Sequence, residues 1–267
     1  IYTGHNEFLE ERTYSQIKDI PPLLRSTVSL MAKTRTWSAM NAALQEFGAA
    51  PKVEKESRDK LSVEVSTILD HSAGLNRYTR DDTLEKNILQ HYRLSLERMV
   101  GLARSVGAEV LFVTPASSLN DCAPFKSEHT PGLAPAEQKR SEGMLLQAKK
   151  LMDHEDWQSA LALLEKSVAL NPRHAELQYR RGQALLALGR FEEAEVAFRM
   201  ARDEDVCPLR ALTPVRRIVT EVAEDQEVGL VDYVDLLERR MLETKGHPIP
   251  PVRSFSWIMS IPRSKDT

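Results

Sequence analysis

Apolar residues recur at helical spacing along much of the chain. Leu84, Ile88, Tyr92, Leu96, Met99 and Ala103 predict one stripe on a helix, with Asp82 or Thr83 as its cap and Gly107 as its stop. Next, "EVLFVTP" is a nearly unbroken apolar run, which reads as a buried strand ended by Pro115. The same order returns near the end of the chain. Thr213 is placed to cap a helix opened by Pro214, on which Val215, Ile218, Val219, Val222 and Ala223 share a face. "VGLVD" is then a second short buried strand, and Val234, Leu237 and Met241 continue as helix. Helix followed by apolar strand, twice over, is the grammar of a parallel, doubly wound α/β sheet. Nearer the start, Leu23, Leu24, Val28, Met31, Met40, Leu44 and Phe47 predict helix up to Gly48. Residues 49–60 then read as a charged surface linker, "LSVEVSTILD" fits a strand or a short helix, and "GLNRYTRDDT" is a loop.

Between the two αβ units, residues from about 136 to 206 are helical throughout, and they repeat. Ala148 pairs with Gly182, Leu151 with Leu185, Trp157 with Phe191, Ala160 with Ala194, and Leu164 with Phe198, each pair 34 residues apart. Small residues fall where helices must approach closely, and Pro172 follows the second helix. This pattern resembles the tetratricopeptide repeat, a helical hairpin stacked on its neighbours. Gln178 and Arg181 stand where that family usually has bulky apolar residues, and Val206 where it has a closing proline. Trp157 and Phe191 are expected to be core residues. Two repeats are fewer than the three or so of a free-standing array, so the pair is expected to lean on the α/β body.

Composition narrows the classes. A 267-residue chain with 42% hydrophobic residues can bury a core, and a net charge of −3 with 6% aromatics gives no polybasic or base-stacking surface for nucleic acid. No apolar run reaches the roughly 18 residues that span a bilayer. Cys122 and Cys207 form no CxxC pattern, the seven histidines are scattered, and no glycine-rich phosphate loop is present, so neither metal nor nucleotide cofactor is expected. The stretch "RDEDVCPLR" reads as a solvated boundary, and His91 as a helix-packing residue. Ser127, Glu128 and His129 are adjacent in a loop and so cannot readily aim at one another as a triad.

The chemistry sits at the beginning. Ile1 and Tyr2, two β-formers, run into Gly4, His5, Asn6 and Glu7, as a strand would on ending in a polar loop. Gly4-His5-Asn6-Glu7 resembles the Gly-x-Asn-Asp block of SGNH (GDSL-type) hydrolases, and "YTGHNEFLEERTY" with "VTPASSL" and "DCAPFKSEH" resembles the branch of that family carrying tetratricopeptide repeats. The resemblance implies a flavodoxin-like sheet, incomplete here, with the repeats inserted: residues 1–135 and 207–250 as α/β part, 136–206 as repeats, 251–267 as an atypical tail. It also implies Asn6 and Gly4 as oxyanion-hole donors, and a nucleophilic Ser and an Asp-x-x-His-Pro block that this chain does not contain. On that reading the chain is a piece of a larger enzyme and is inactive by itself. The intact parent would hydrolyse a small acyl ester or acylated saccharide of the cell envelope, or transfer the acyl group as an O-acyltransferase.

The tail carries a related expectation. Reading Pro251 to Thr267 two nucleotides later, with suitable synonymous codons, yields Asp-x-x-His-Pro; the Asp follows from Trp257-Ile258 whatever the codons. A frameshift would therefore account for the missing block. Asn120, Lys126 and His129, on the loop leaving the first apolar strand, and Arg210, just after the repeats, are candidate substrate contacts, because ligands of parallel sheets bind beyond the strands' carboxyl ends. The rival reading is a non-catalytic scaffold whose repeats bind a protein or peptide. Compartment is left open.

Overall fold

The structure is a computed structural model and describes residues 1–5, 7–8 and 78–246, all within one compact unit. Asn6, the helix expected over 21–48, the linker, the segment from Leu61 to Asp70 and the tail 251–267 lie outside the described residues.

Helix α1 spans Asp82–Ser105. Its cap is Asp81, one residue ahead of the expected position: the carboxylate accepts the amides of Thr83 (3.1 Å) and Leu84 (2.8 Å). Gly107, at φ +71°, turns the chain out of the helix. The buried stripe is Ile88, Tyr92, Leu96 and Val100; Met99 is exposed, as is His91. Strand β1 (Leu111–Val113) follows. Helices α2 (Pro135–Asp153), α3 (Trp157–Leu170), α4 (Ala175–Ala187) and α5 (Phe191–Asp203) come next, then α6 (Thr213–Asp225), β2 (Gly229–Val231) and α7 (Tyr233–Lys245). Thr213 opens α6 rather than capping it, and Pro214 sits in the first turn, where its missing N–H costs nothing.

β1 and β2 are parallel, with Leu111 beside Gly229, Phe112 beside Leu230 and Val113 beside Val231. On the other side of β1, Ile1 donates its N–H to Leu111 O (2.5 Å) and accepts from Val113 N (3.0 Å), the hydrogen-bond pattern of a third parallel segment. Helices α1 and α6 pack on one face. Tyr92, Leu96 and Val100 meet Val215, Val219 and Val222 around Phe112, which is fully buried. Burying such a ring contributes roughly 1.5–3 kcal/mol. The described residues show no doubly wound, flavodoxin-like sheet of the kind expected: they are mostly helical, seven helices with two three-residue parallel strands that stop before Pro115 and Asp232, and on the face opposite Phe112, Leu111 is half exposed.

The helices α2 to α5 form a second hydrophobic cluster, and here the 34-residue period is visible in the backbone. Leu151 O accepts from Asp156 N and Leu185 O from Arg190 N, both at 2.9 Å, and the left-handed residues Glu155 (φ 60°) and Gly189 (φ 75°) fall at equivalent places. Ala148, Ala160, Ala194, Leu164, Leu185 and Phe198 are buried. Gly182 admits the Phe198 ring, whose carbons would lie 2.7 Å from an added Cβ. Trp157 and Phe191 are only half-buried, at the rim of the hairpins. Gln178 is buried despite its polarity; its amide donates to Pro172 O at 2.9 Å.

Candidate functional site

Two places bring functional groups together: the strap that runs from β1 onto the repeats, and a cleft at the carboxyl ends of the strands.

The strap covers residues 117–131. Leu119 is buried in the repeat cluster. Asn120 contributes its carbonyl, which accepts from Tyr179 Oη of α4 at 2.5 Å. Lys126 donates its amide to Asp205 (3.0 Å) and its ammonium to Tyr78 O, and pairs with Glu128 at 3.2 Å. Ser127 Oγ accepts the N–H of Glu176, satisfying one of the free amides at the start of α4 (2.9 Å). His129 reaches Glu142 of α2 through Nε2 (3.1 Å) and the Asn171 amide through Nδ1 (2.8 Å). Asn171 Oδ1 already accepts from Thr130 N and Oγ1, so its Nδ2 is the donor to His129, and the His129 proton sits on Nε2. Ser127, Glu128 and His129 thus point to three different partners, as adjacency requires.

The segment "RDEDVCPLR" is not a solvated boundary. Asp205 and Arg210 are 5% and 6% exposed. Asp205 accepts the amides of Phe125 (2.9 Å), Lys126 (3.0 Å) and Cys207 (3.1 Å), and Arg210 donates to the carbonyls of Ser118 (3.0 Å) and Cys122 (2.7 Å). Burial pushes the Asp205 carboxyl up, and the three amides act against that. Asn120, Lys126, His129 and Arg210 therefore come together along the strap, each engaged with its own chain, and none of them lines the cleft.

The cleft, about 370 Å³, lies beyond Pro115 and Asp232, between α5, α6 and α7. Arg199, Arg202, Arg216 and Arg217 line it, with Asp232 and Glu238 as the only acids among its lining residues. Asp232 ends β2, caps α7 by accepting from Asp235 N (3.2 Å), and accepts from Thr114 Oγ1 (2.8 Å) and Arg216 (3.0 and 3.2 Å). Burial alone would raise its carboxyl; Arg216 and the two hydrogen bonds outweigh that and hold it below the usual range. Gly4 lies against α1 and α6. It is buried at φ +117°, where an added Cβ would meet Val215 Cγ1 at 2.5 Å and Tyr92 Oη at 3.0 Å, so the close approach of loop to helices demands glycine. His5 Nδ1 accepts from Ala211 N (3.4 Å) and its Nε2–H donates to Tyr2 Oη (3.0 Å); burial lowers the ring's pKa. Sequence reasoning missed the arginines because they stand on two helices separated by a buried turn. The pairs Arg199/Arg202 and Arg216/Arg217 were the signal that could have found them.

Among the described residues no set of three His, Cys, Asp or Glu side chains gathers to hold a metal, and no helix is long and apolar enough to cross a membrane.

Residues 145–205 match the family model described as tetratricopeptide repeat. No curated protein and no solved structure matches the chain. The match covers the helices α3 to α5 and the end of α2, the part in which period and backbone geometry repeat together. Such repeats point to protein partners; nothing in the comparisons points to an ester hydrolase.

Proposed function

We propose that this chain is a protein-interaction scaffold, with the repeat pair as its binding element and the strand–helix layer as its support. The observation that carries this is the 34-residue repeat matched at 145–205. A stacked repeat cannot bury both of its faces by itself, so a terminal helix offers an apolar surface to whatever stacks next. The faces of α2 and α4 that meet the strap are taken. On α5, Val196 and Met200 are 55% and 39% exposed and one turn apart. Leu146 on α2 is exposed singly, which is ordinary for a surface. The occupant that fits a two-residue stripe at i, i+4 is an amphipathic helix of a partner protein. A photo-crosslinking residue placed at Val196 or Met200 should capture one defined partner, and Val196→Glu should abolish that capture. Equal capture from position 146, or none from either α5 position, would refute the assignment.

A second reading is supported by one observation: Ile1 pairs in parallel with β1, so Gly4 follows the end of a parallel segment. On this reading the parent protein is an acyl ester hydrolase or O-acyltransferase of SGNH type, with Asn6 and Gly4 as oxyanion donors. Expressing the longer parent gene and assaying short-chain esters tests it. Asn6→Ala should lower kcat by about 10²–10³, and unchanged kcat would exclude the role.

A further inference from the structure

We infer that the carboxyl-end cleft is a binding site for a small molecule carrying a compact anionic oxygen group, phosphoryl or carboxylate. This goes beyond the scaffold reading and does not depend on it. Four guanidinium groups from α5 and α6 line one cleft of about 370 Å³, against two lining carboxylates. The acids occupy only part of the donor set. Asp232 engages Arg216 through Nη2 alone, while Glu238 lies 2.7 Å from Arg199 Nη2 and 3.9 Å from Arg216 Nη1. The Arg217 side chain is 68% exposed and pairs with Glu221, at 3.5 Å, on its own helix.

Arg202 decides the matter of direction. Its side chain is 11% exposed, and besides the neighbouring Asp203 it turns to two hydroxyl oxygens, Thr213 Oγ1 (2.5 Å) and Ser117 Oγ (3.4 Å). The other acids near these arginines, Glu195, Asp203 and Glu221, lie on the arginines' own helices and do not line the cleft. The lining side chains thus hold more guanidinium than carboxylate groups, with fork-shaped donors that match planar or tetrahedral oxyanions. The floor, with Pro115, Ala116, Leu119 and Leu237, is apolar and suits an organic body attached to the anion. The location, beyond the carboxyl ends of parallel strands, is where such sheets take ligands.

Isothermal titration of the whole chain with pyrophosphate and with citrate tests the site, with sodium chloride at matched ionic strength as the blank. At least one probe should bind and raise Tm in the unaltered chain. Arg216→Gln and Arg202→Gln should each weaken that binding about tenfold or more, the effect of losing a charge-assisted hydrogen bond. Arg239→Gln removes the same charge from an exposed position outside the cleft and should change binding less than about twofold. Whichever probe binds more tightly identifies the anionic group. The inference is overturned if neither probe binds at about 10 mM, or if Arg239→Gln weakens binding as much as the cleft variants. The Tm rise of the unaltered chain remains readable even where a variant fails to fold, and its absence with both probes overturns the site.

Discussion

Replacing Gly182 by alanine sets two effects of opposite sign against each other, and the structure decides between them. Gly182 lies inside α4, where alanine in place of glycine ordinarily gains about 0.5–1 kcal/mol. Here the new Cβ would stand 2.7 Å from Cδ1 and Cε1 of Phe198 and 3.0 Å from Cγ. Carbon atoms pack at roughly 3.5–4.0 Å, so either ring or helix must give way. Phe198 is 1% exposed and packs against Tyr179, which leaves the ring no free space to enter. Overpacking of this kind costs roughly 1–3 kcal/mol. The net expectation is a destabilisation of about 1–2 kcal/mol. Two helical glycines serve as controls: at Gly143 in α2 and Gly101 in α1 an added Cβ meets nothing within 4 Å. Alanine at either should stabilise by about 0.5–1 kcal/mol. Urea denaturation of the three variants against the parent supplies the midpoints. Adding Phe198→Leu to Gly182→Ala should cost less than the two changes summed, since the smaller side chain relieves the clash. If Gly182→Ala stabilises as much as Gly143→Ala does, the proposed α4–α5 contact is wrong.

Other consequences can be measured in the same way. Glu155 holds the left-handed turn that Gly189 holds in the second repeat, so Glu155→Gly should raise stability by about 0.5–1 kcal/mol while Gly189→Ala lowers it by a similar amount, as read from thermal melts. Asn171 is fully buried and bonds to Thr130, His129 and Ser141; Asn171→Ala should cost about 2–4 kcal/mol and open the strap to limited proteolysis. Burial, with a smaller push from His129, lowers the His174 ring to about 4. Below pH 6.5 the unfolded chain then binds more protons than the folded one, so stability should fall as pH drops from 6.5 toward 4, and His174→Gln should flatten that slope in urea titrations at stepped pH. Asp205→Ala would leave three backbone amides without their acceptor and remove the carboxylate 3.9 Å from the Arg210 guanidinium, a loss of about 3–5 kcal/mol by denaturant midpoint.

What could be read from sequence was whatever packing repeats locally. Ala148 and Gly182, Ala160 and Ala194, and Leu164 and Phe198 were recognisable because a hairpin imposes the same size limits every 34 residues. The two apolar strands and their preceding helices were also legible, though the strands stop at three residues, before Pro115 and Asp232. Burial determined by distant neighbours was not. Met99 and Val100 are both apolar, and only the docking of α6 selects Val100. "RDEDVCPLR" is charged enough to pass for surface, yet Asp205 is buried because the amides of Phe125 and Lys126, 80 and 79 residues away, need an acceptor there. The same reasoning bears on function. The cleft arginines come from helices whose neighbours along the chain give no hint of a shared pocket, and only the turn through buried Arg210, Ala211 and Leu212 brings α5 and α6 to one opening. That turn is fixed by the strap, through the carbonyls of Ser118 and Cys122. The repeats therefore do two jobs in this chain: they present α5 outward, and they anchor the strap that fixes how the two helices frame the cleft.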